Sequence, residues 1–226
     1  MAARLGRAWY IVPMLSAFGL ALLGFLLGVR HAVDPDHVVA VTAIATGQRS
    51  IRRASLIGAL WGVGHTVTIL VVGGAIILFR IAIPPRLGLA FEFAVGMALI
   101  VLGLANLLSR DEKTTAPSVA RPLVVGMVHG LAGSAAVALI VLAAVRDPRW
   151  ALGYLMLFGI GTIVGMMAVT TAIAVPATLA AARMTSARRY LVLASGAASV
   201  IFGVIIAIEL AGNGLFSSGS PVWTPR

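Results

Sequence analysis

A chain of 226 residues that is 60% hydrophobic and only 11% charged, with a mean hydropathy of +1.05, has more apolar surface than one soluble core can bury, so it belongs in a lipid bilayer and leaves no stretch for a soluble catalytic domain. Its net charge of +10 implies no nucleic-acid partner, because nearly every Arg falls between apolar runs and no basic patch interleaves with aromatics. The complete lack of Cys excludes disulfides, thiolate sites and dithiol relays, so any metal is held by nitrogen and oxygen.

The chain opens with MAARLGR and a long apolar run. That start imitates a signal peptide, but the run continues straight into a cluster of ionisable residues, and a cut there would sever the cluster from its helix; the segment is therefore read as retained. Apolar segments follow at Tyr10 to Thr46, Ala54 to Phe79, Arg86 to Leu108, Pro122 to Val145, Trp150 to Ala174 and Arg188 to Leu210. Five are single crossings. The first, about 37 residues or roughly 55 Å of helix, is too long for one crossing and awkward for two. The expected fold is an all-α, polytopic transmembrane bundle forming a single domain over residues 1–226, with six helices, or seven if the chain turns near Gly24 to Gly28.

The first segment contains GVRHAVDPDHVVAV, which places His31, Asp34, Asp36 and His37 in an apolar surrounding. Pro35 disfavours α conformation at Asp34, while Asp as N-cap followed by Pro is a favourable helix start. A helix is therefore expected to restart at Asp34, gathering His31, the two carboxylates and His37 at one helix end. The second segment carries His65 at mid-helix within GVGHTV, flanked by small residues that admit a neighbouring helix. The fourth carries His129. Glu92 and Glu209 are expected near helix ends as interfacial carboxylates, Met127, Met166 and Met167 as packing, and Asn106 and Thr162 as interhelical hydrogen-bonding groups.

The loops carry Arg49, Arg52 and Arg53; Arg80 and Arg86; Arg110, Lys113 and Arg121; Arg146 and Arg149; Arg183, Arg188 and Arg189. The richer loops should be cytoplasmic, which puts residues 47–53 inside and the carboxyl terminus outside.

The chain also repeats itself. Gly28, His31, Val39 and Ala40 align with Gly126, His129, Val137 and Ala138; LWGVGHTV from Leu60 aligns with LFGIGTIV from Leu157; Gly96, Ala98 and Gly103 align with Gly196, Ala198 and Gly203. Two repeats of three helices follow, about 23–108 and 121–212, joined by a loop over 109–120. An odd number of crossings inverts the second copy, the plan of many secondary transporters with a site at mid-membrane. The second copy, GMVHGLAGSAA, keeps His129 and the helix-breaking Gly130 and Gly133 but has Ala132, Ser134 and Ala135 where the first has Asp34, Asp36 and His37. One main, asymmetric site is expected.

All four histidines lie in predicted membrane segments, where ionisable groups are costly and mark function. Imidazole with carboxylate suits a first-row transition ion such as nickel, cobalt or zinc rather than calcium or magnesium. The candidate metal residues are His31, Asp34, Asp36, His37, His65 and His129, with His129 either closing the shell, lining the path or serving structure.

RHAVDPDH at residues 30–37 resembles the signature of the nickel/cobalt transporter family (NiCoT), and Gly64 to Thr66 looks like its second signature. The resemblance implies that His31, Asp34, Asp36, His37 and His65 select and move Ni²⁺ or Co²⁺. Pro35 replaces the usual Ala, the later acidic signatures have no match, and VHGLAGS is similar to shorter urease-accessory transmembrane relatives of the UreH type, which implies nickel-enzyme maturation proteins as partners. The expected function is a permease of the inner or plasma membrane that carries the ion as substrate, with no resident cofactor, no nucleic acid and the lipid bilayer as its surroundings. Two other readings use the same residues: an intramembrane metal-dependent hydrolase, and a bis-histidine haem protein.

Overall fold

The computed structural model describes residues 18–48, 50–79, 84–108, 119–131, 145 and 147–216. The expected leader-like start before residue 18, most of the 109–120 loop, and Ala132, Gly133, Ser134 and Ala135 lie outside the described residues.

Seven helices and no strand occur among the described residues: α1 Phe18–His31, α2 Pro35–Ala45, α3 Ile51–Phe79, α4 Pro85–Leu108, α5 Ala120–Gly130, α6 Pro148–Arg183 and α7 Thr185–Gly212. Four of them, α3, α4, α6 and α7, are long and apolar enough to cross a membrane, and α1 with α2, apolar as a pair and bent by 57° at the break, is either a broken span or a re-entrant loop. The chain is therefore a multi-pass membrane protein. The expected Pro122 to Val145 segment is described as helix only over α5, which ends at Gly130 as its glycines suggest.

The break in the first segment falls where Pro35 puts it. Asp34 is the N-cap of α2, in extended conformation, with Pro at the first helical position. The alternative turn near Gly24 to Gly28 does not occur, because α1 runs through both glycines. They serve close approach: a Cβ at Gly24 would stand 3.0 Å from the Tyr154 ring, and one at Gly28 would collide with the Phe158 carbonyl of α6.

Bare glycine backbone brings the remaining helices together in the same way, and the contacts come in matched pairs. Gly28 backs onto Phe158, and its aligned counterpart Gly126 backs onto Trp61, the counterpart of Phe158. Gly161 meets Phe25 as Gly64 meets Leu123, and Gly62 meets Ile163 as Gly159 meets Thr66. Gly96 lies against Gly203 and Gly103 against Gly196, so α4 and α7 run antiparallel; α3 and α6 do likewise, from Gly58 beside Thr170 to Gly74 beside Leu152. Without a hydrophobic force between helices in lipid, such small-residue approach and dispersion supply most of the association.

Helix α2 sits among α4, α6 and α7. Its Ala40, Val41 and Ala45 join Trp61, Val95, Leu99, Leu102 and Met166 in the larger buried cluster. Outward faces carry Val71, Leu78, Val101, Ile160, Ile201, Ile205 and Ile208, all exposed, as lipid-facing positions require. Hydrogen bonds also tie helices together: Asn106 Nδ2 to the Ala43 carbonyl, Ser199 Oγ to the Leu99 carbonyl, Thr66 Oγ1 to the Gly159 carbonyl, and the hydroxyls of Thr46 and Ser195 to each other.

Two expectations are corrected. Thr162 makes no interhelical bond; its hydroxyl donates to the Phe158 carbonyl one turn back in its own helix, the usual outlet for a hydroxyl buried in a helix. Glu92 is not at a helix end but two turns into α4, buried at 7% exposure, where Phe216 folds back from the end of α7 onto Phe93. Glu209 is exposed one turn from the end of α7, as expected, and Met166 is buried packing.

Candidate metal site

The last residue of α1, the first turn of α2 and the middle of α3 supply the site. His31 ends α1, and the Asp34 amide bonds back to the His31 carbonyl at 3.1 Å, a turn that brings the Asp34 carboxylate beneath the His31 ring. Asp34 Oδ2 lies 2.6 Å from His31 Nδ1. Proline then starts α2 and places His37 in its first turn. Gly64 and Gly130 let α5 approach α3 next to His65.

His31, His37 and His65 are buried, the last two completely. The His37 ring stands edge-on to His31 at 4.6 Å and to His65 at 5.1 Å between centroids. One nitrogen from each of the three lies within 4.8 Å of the other two. The carboxylate of Asp34 holds the proton on Nδ1 of His31, which turns the Nε2 lone pair toward His65, whose Nε2 is 3.0 Å away. Imidazole nitrogens held about 2.0–2.1 Å from an ion stand about 2.9 Å apart at a right angle and about 3.4 Å apart in a tetrahedron. The His31 to His65 edge already has that spacing, and the other two edges are no longer than 4.8 Å.

Three of the nitrogens are also uncommitted. Both ring nitrogens of His37 and Nδ1 of His65 are buried without a hydrogen-bond partner, an arrangement that is expensive in a protein interior unless a ligand uses it. Three imidazoles can hold a first-row divalent ion once the hydrogen bond between His31 Nε2 and His65 Nε2 gives way to it.

The other candidates fall elsewhere. Asp34 stands behind His31 rather than beside the three nitrogens. Asp36 places Oδ1 3.7 Å from His37 Nδ1 and is partly exposed; with Asp34 it sets negative charge at the start of α2, against the positive end of that helix. His129 is completely buried, with Nδ1 on the Val125 carbonyl at 2.9 Å and its ring 5.7 Å from that of His37, but it is outside the close group of three.

Sequence reasoning missed the aromatic walls. Phe158 lies 5.4 Å from His31, and Trp61 lies 5.7 Å from His37 and 5.2 Å from His129, between ring centroids. Their signal was present in the repeat, where Trp61 and Phe158 occupy the same aligned place.

Residues 17–113, which include both histidine motifs, match the NicO family, described as high-affinity nickel-transport protein. Over 201 residues the chain is 36% identical to a urease accessory protein, UreH, from Bacillus sp. (strain TB-90), covering 80% of this chain and 87% of that protein. The chain belongs to this nickel-transport family. Two Arabidopsis thaliana chloroplast proteins, FOR GROWTH AND FERTILITY 1 and 2, are 28% and 27% identical to 65% of the chain, which spans 47% and 44% of their lengths. No solved structure matches. The family assignment agrees with the resemblance carried by residues 30–37 and 64–66.

Proposed function

We propose that this NicO-family protein is a permease for Ni²⁺ or Co²⁺, in which the ion is bound in the membrane by His31, His37 and His65. The observation that carries the proposal is the convergence of three buried imidazoles from two sides of a helix break, with nitrogens close enough to share one ion. Asp34 orients His31 through its Nδ1, as carboxylates behind metal-binding histidines do. Asp36 and Asp34, partly exposed, attract the cation toward the buried nitrogens.

The two halves act as inverted three-helix repeats that rock around this site. Supporting that reading are the antiparallel pairing of aligned helices and the matched contacts, in which the seats of Gly28, Gly62, Gly64, Gly96 and Gly103 have counterparts at Gly126, Gly159, Gly161, Gly196 and Gly203. Residues 47–53 face the cytoplasm, and the ion supplied there reaches nickel-enzyme maturation proteins, in keeping with the urease-accessory name of the Bacillus relative.

Neither other reading finds support in the geometry. A haem would need its macrocycle between two histidines, whereas these rings stand in direct contact. A hydrolase would need a carboxylate as general base beside the ion: Asp34 is spent on His31, which leaves Asp36 alone for that role, and the family match is to nickel transport.

Uptake of ⁶³Ni and ⁵⁷Co by cells expressing the protein tests the proposal. His31→Ala, His37→Ala and His65→Ala should each lower uptake by about tenfold or more, as removal of one ligand of three does. Wild-type flux in all three variants would sink it.

A further inference from the structure

We infer that His129, together with His37 and Asp36, forms a second and weaker station for the same ion, and that His37 serves both stations, with a different ring nitrogen at each. This rests on the permease reading above. His129 has the preparation of a metal ligand: Nδ1 donates its proton to the Val125 carbonyl at 2.9 Å, so Nε2 carries the lone pair, and that nitrogen is buried with no partner. Yet His129 is not among the three histidines whose nitrogens lie within 4.8 Å of one another, so an ion held by His31 and His65 is out of its reach.

His37 connects the two places. Its ring lies 4.6 Å from His31, 5.1 Å from His65 and 5.7 Å from His129, between centroids, and both of its nitrogens are buried and unpartnered. The first station uses one nitrogen of His37; the other serves a neighbouring ion position once the ring's proton has moved from it to the nitrogen the ion leaves. Asp36 stands 3.7 Å from His37 Nδ1, beside that second position.

The repeat explains why the second station is the poorer one. His129 occupies the aligned place of His31, and it meets Trp61 at 5.2 Å as His31 meets Phe158 at 5.4 Å. Where the first half has His65, the second has Thr162, whose hydroxyl is bonded within its own helix. Two imidazoles and a carboxylate replace three imidazoles, and a path that must release its ion needs such a weaker last site.

Cobalt binding to the purified full-length chain in lipid nanodiscs, with flux into proteoliposomes, decides the matter. X-ray absorption at one equivalent of Co²⁺ should count three imidazoles, those of His31, His37 and His65. The variant His129→Ala should keep Co²⁺ affinity within about threefold while losing about tenfold or more of flux. His129→Asn, whose amide can still donate to the Val125 carbonyl, should restore packing but not flux. Four imidazoles around the ion in the wild type, a loss of affinity of about tenfold in His129→Ala, or flux at the wild-type rate in either variant would each overturn the second station. The wild-type spectrum decides even where a variant does not fold. If the wild type bound neither Co²⁺ nor Ni²⁺, the permease reading itself would fall.

Discussion

A lone imidazole in hydrocarbon has two tautomers and a freely turning ring; His31 has neither freedom. The 2.6 Å contact with Asp34 fixes the proton on Nδ1, aims Nε2 at His65 and lends the ring electron density. Asp34→Asn keeps an acceptor of nearly the same shape but removes the charge. Equilibrium binding of Co²⁺ should therefore weaken by about 10- to 100-fold, the range found when partners behind metal-binding histidines are lost, while the folded protein keeps its melting temperature within a few degrees. An unchanged affinity would show that Asp34 acts only as a helix cap. At this scale the sequence disclosed the histidines, because ionisable groups in an apolar run stand out. It did not separate ligand from orienter: which atom of Asp34 faces His31 depends on the φ and ψ of the break. Nor did it reveal Trp61, since an aromatic in an apolar helix is ordinary until its neighbours are known.

The break between α1 and α2 and the glycine seats position these side chains. Pro35 after Asp34 was enough to place the break, because both local rules act within two residues. The reading of Gly24 and Gly28 as a turn failed for a complementary reason: a glycine that bends the chain and one that admits a neighbouring helix look alike until the partner helix is in place. Gly28 offers a sharp test against Gly19 on the same helix. A Cβ at Gly28 would collide with the Phe158 carbonyl and stand 2.8 Å from the Thr162 amide nitrogen, both backbone atoms that cannot turn aside, whereas nothing lies within 4 Å of one at Gly19. Gly19→Ala should be neutral or raise stability by up to about 1 kcal/mol through helix propensity. Gly28→Ala should lower the melting temperature and, by pushing α1 off α6 and shifting His31 from His65, weaken Co²⁺ binding by about tenfold, since a displacement near 1 Å is costly in a preorganised site. Equal behaviour of the two variants would mean that α1 does not seat on α6 as described. The Asn106 to Ala43 bond matters less, because interhelical hydrogen bonds in membranes average about 0.6 kcal/mol.

At the scale of the whole molecule, the duplication was legible because small-residue positions constrain helix packing in both copies and so keep their spacing. Its geometry was not, since alignment gives correspondence without direction; the direction came from an argument about odd numbers of crossings. Exchanging the halves maps the contact of Gly96 with Gly203 onto that of Gly103 with Gly196, as the proposed inversion requires. The same antiparallel pairing sends the starts of α3 and α6 to opposite ends of the bundle. In the proposed orientation, with the arginine-rich loops inside, Gln48 before α3 and Ser186 at the start of α7 would face the cytoplasm, while Arg149 at the start of α6 and Asn213 after α7 would face outward. The protein has no native cysteine, so single cysteines at these four positions report without background. A membrane-impermeant maleimide should label Arg149→Cys and Asn213→Cys in intact cells, and Gln48→Cys and Ser186→Cys only after permeabilisation. The opposite pattern would reverse the orientation and leave the inversion standing; labelling of Gln48→Cys and Arg149→Cys from the same side would abolish the inversion, and with it the rocking of two halves around the histidines.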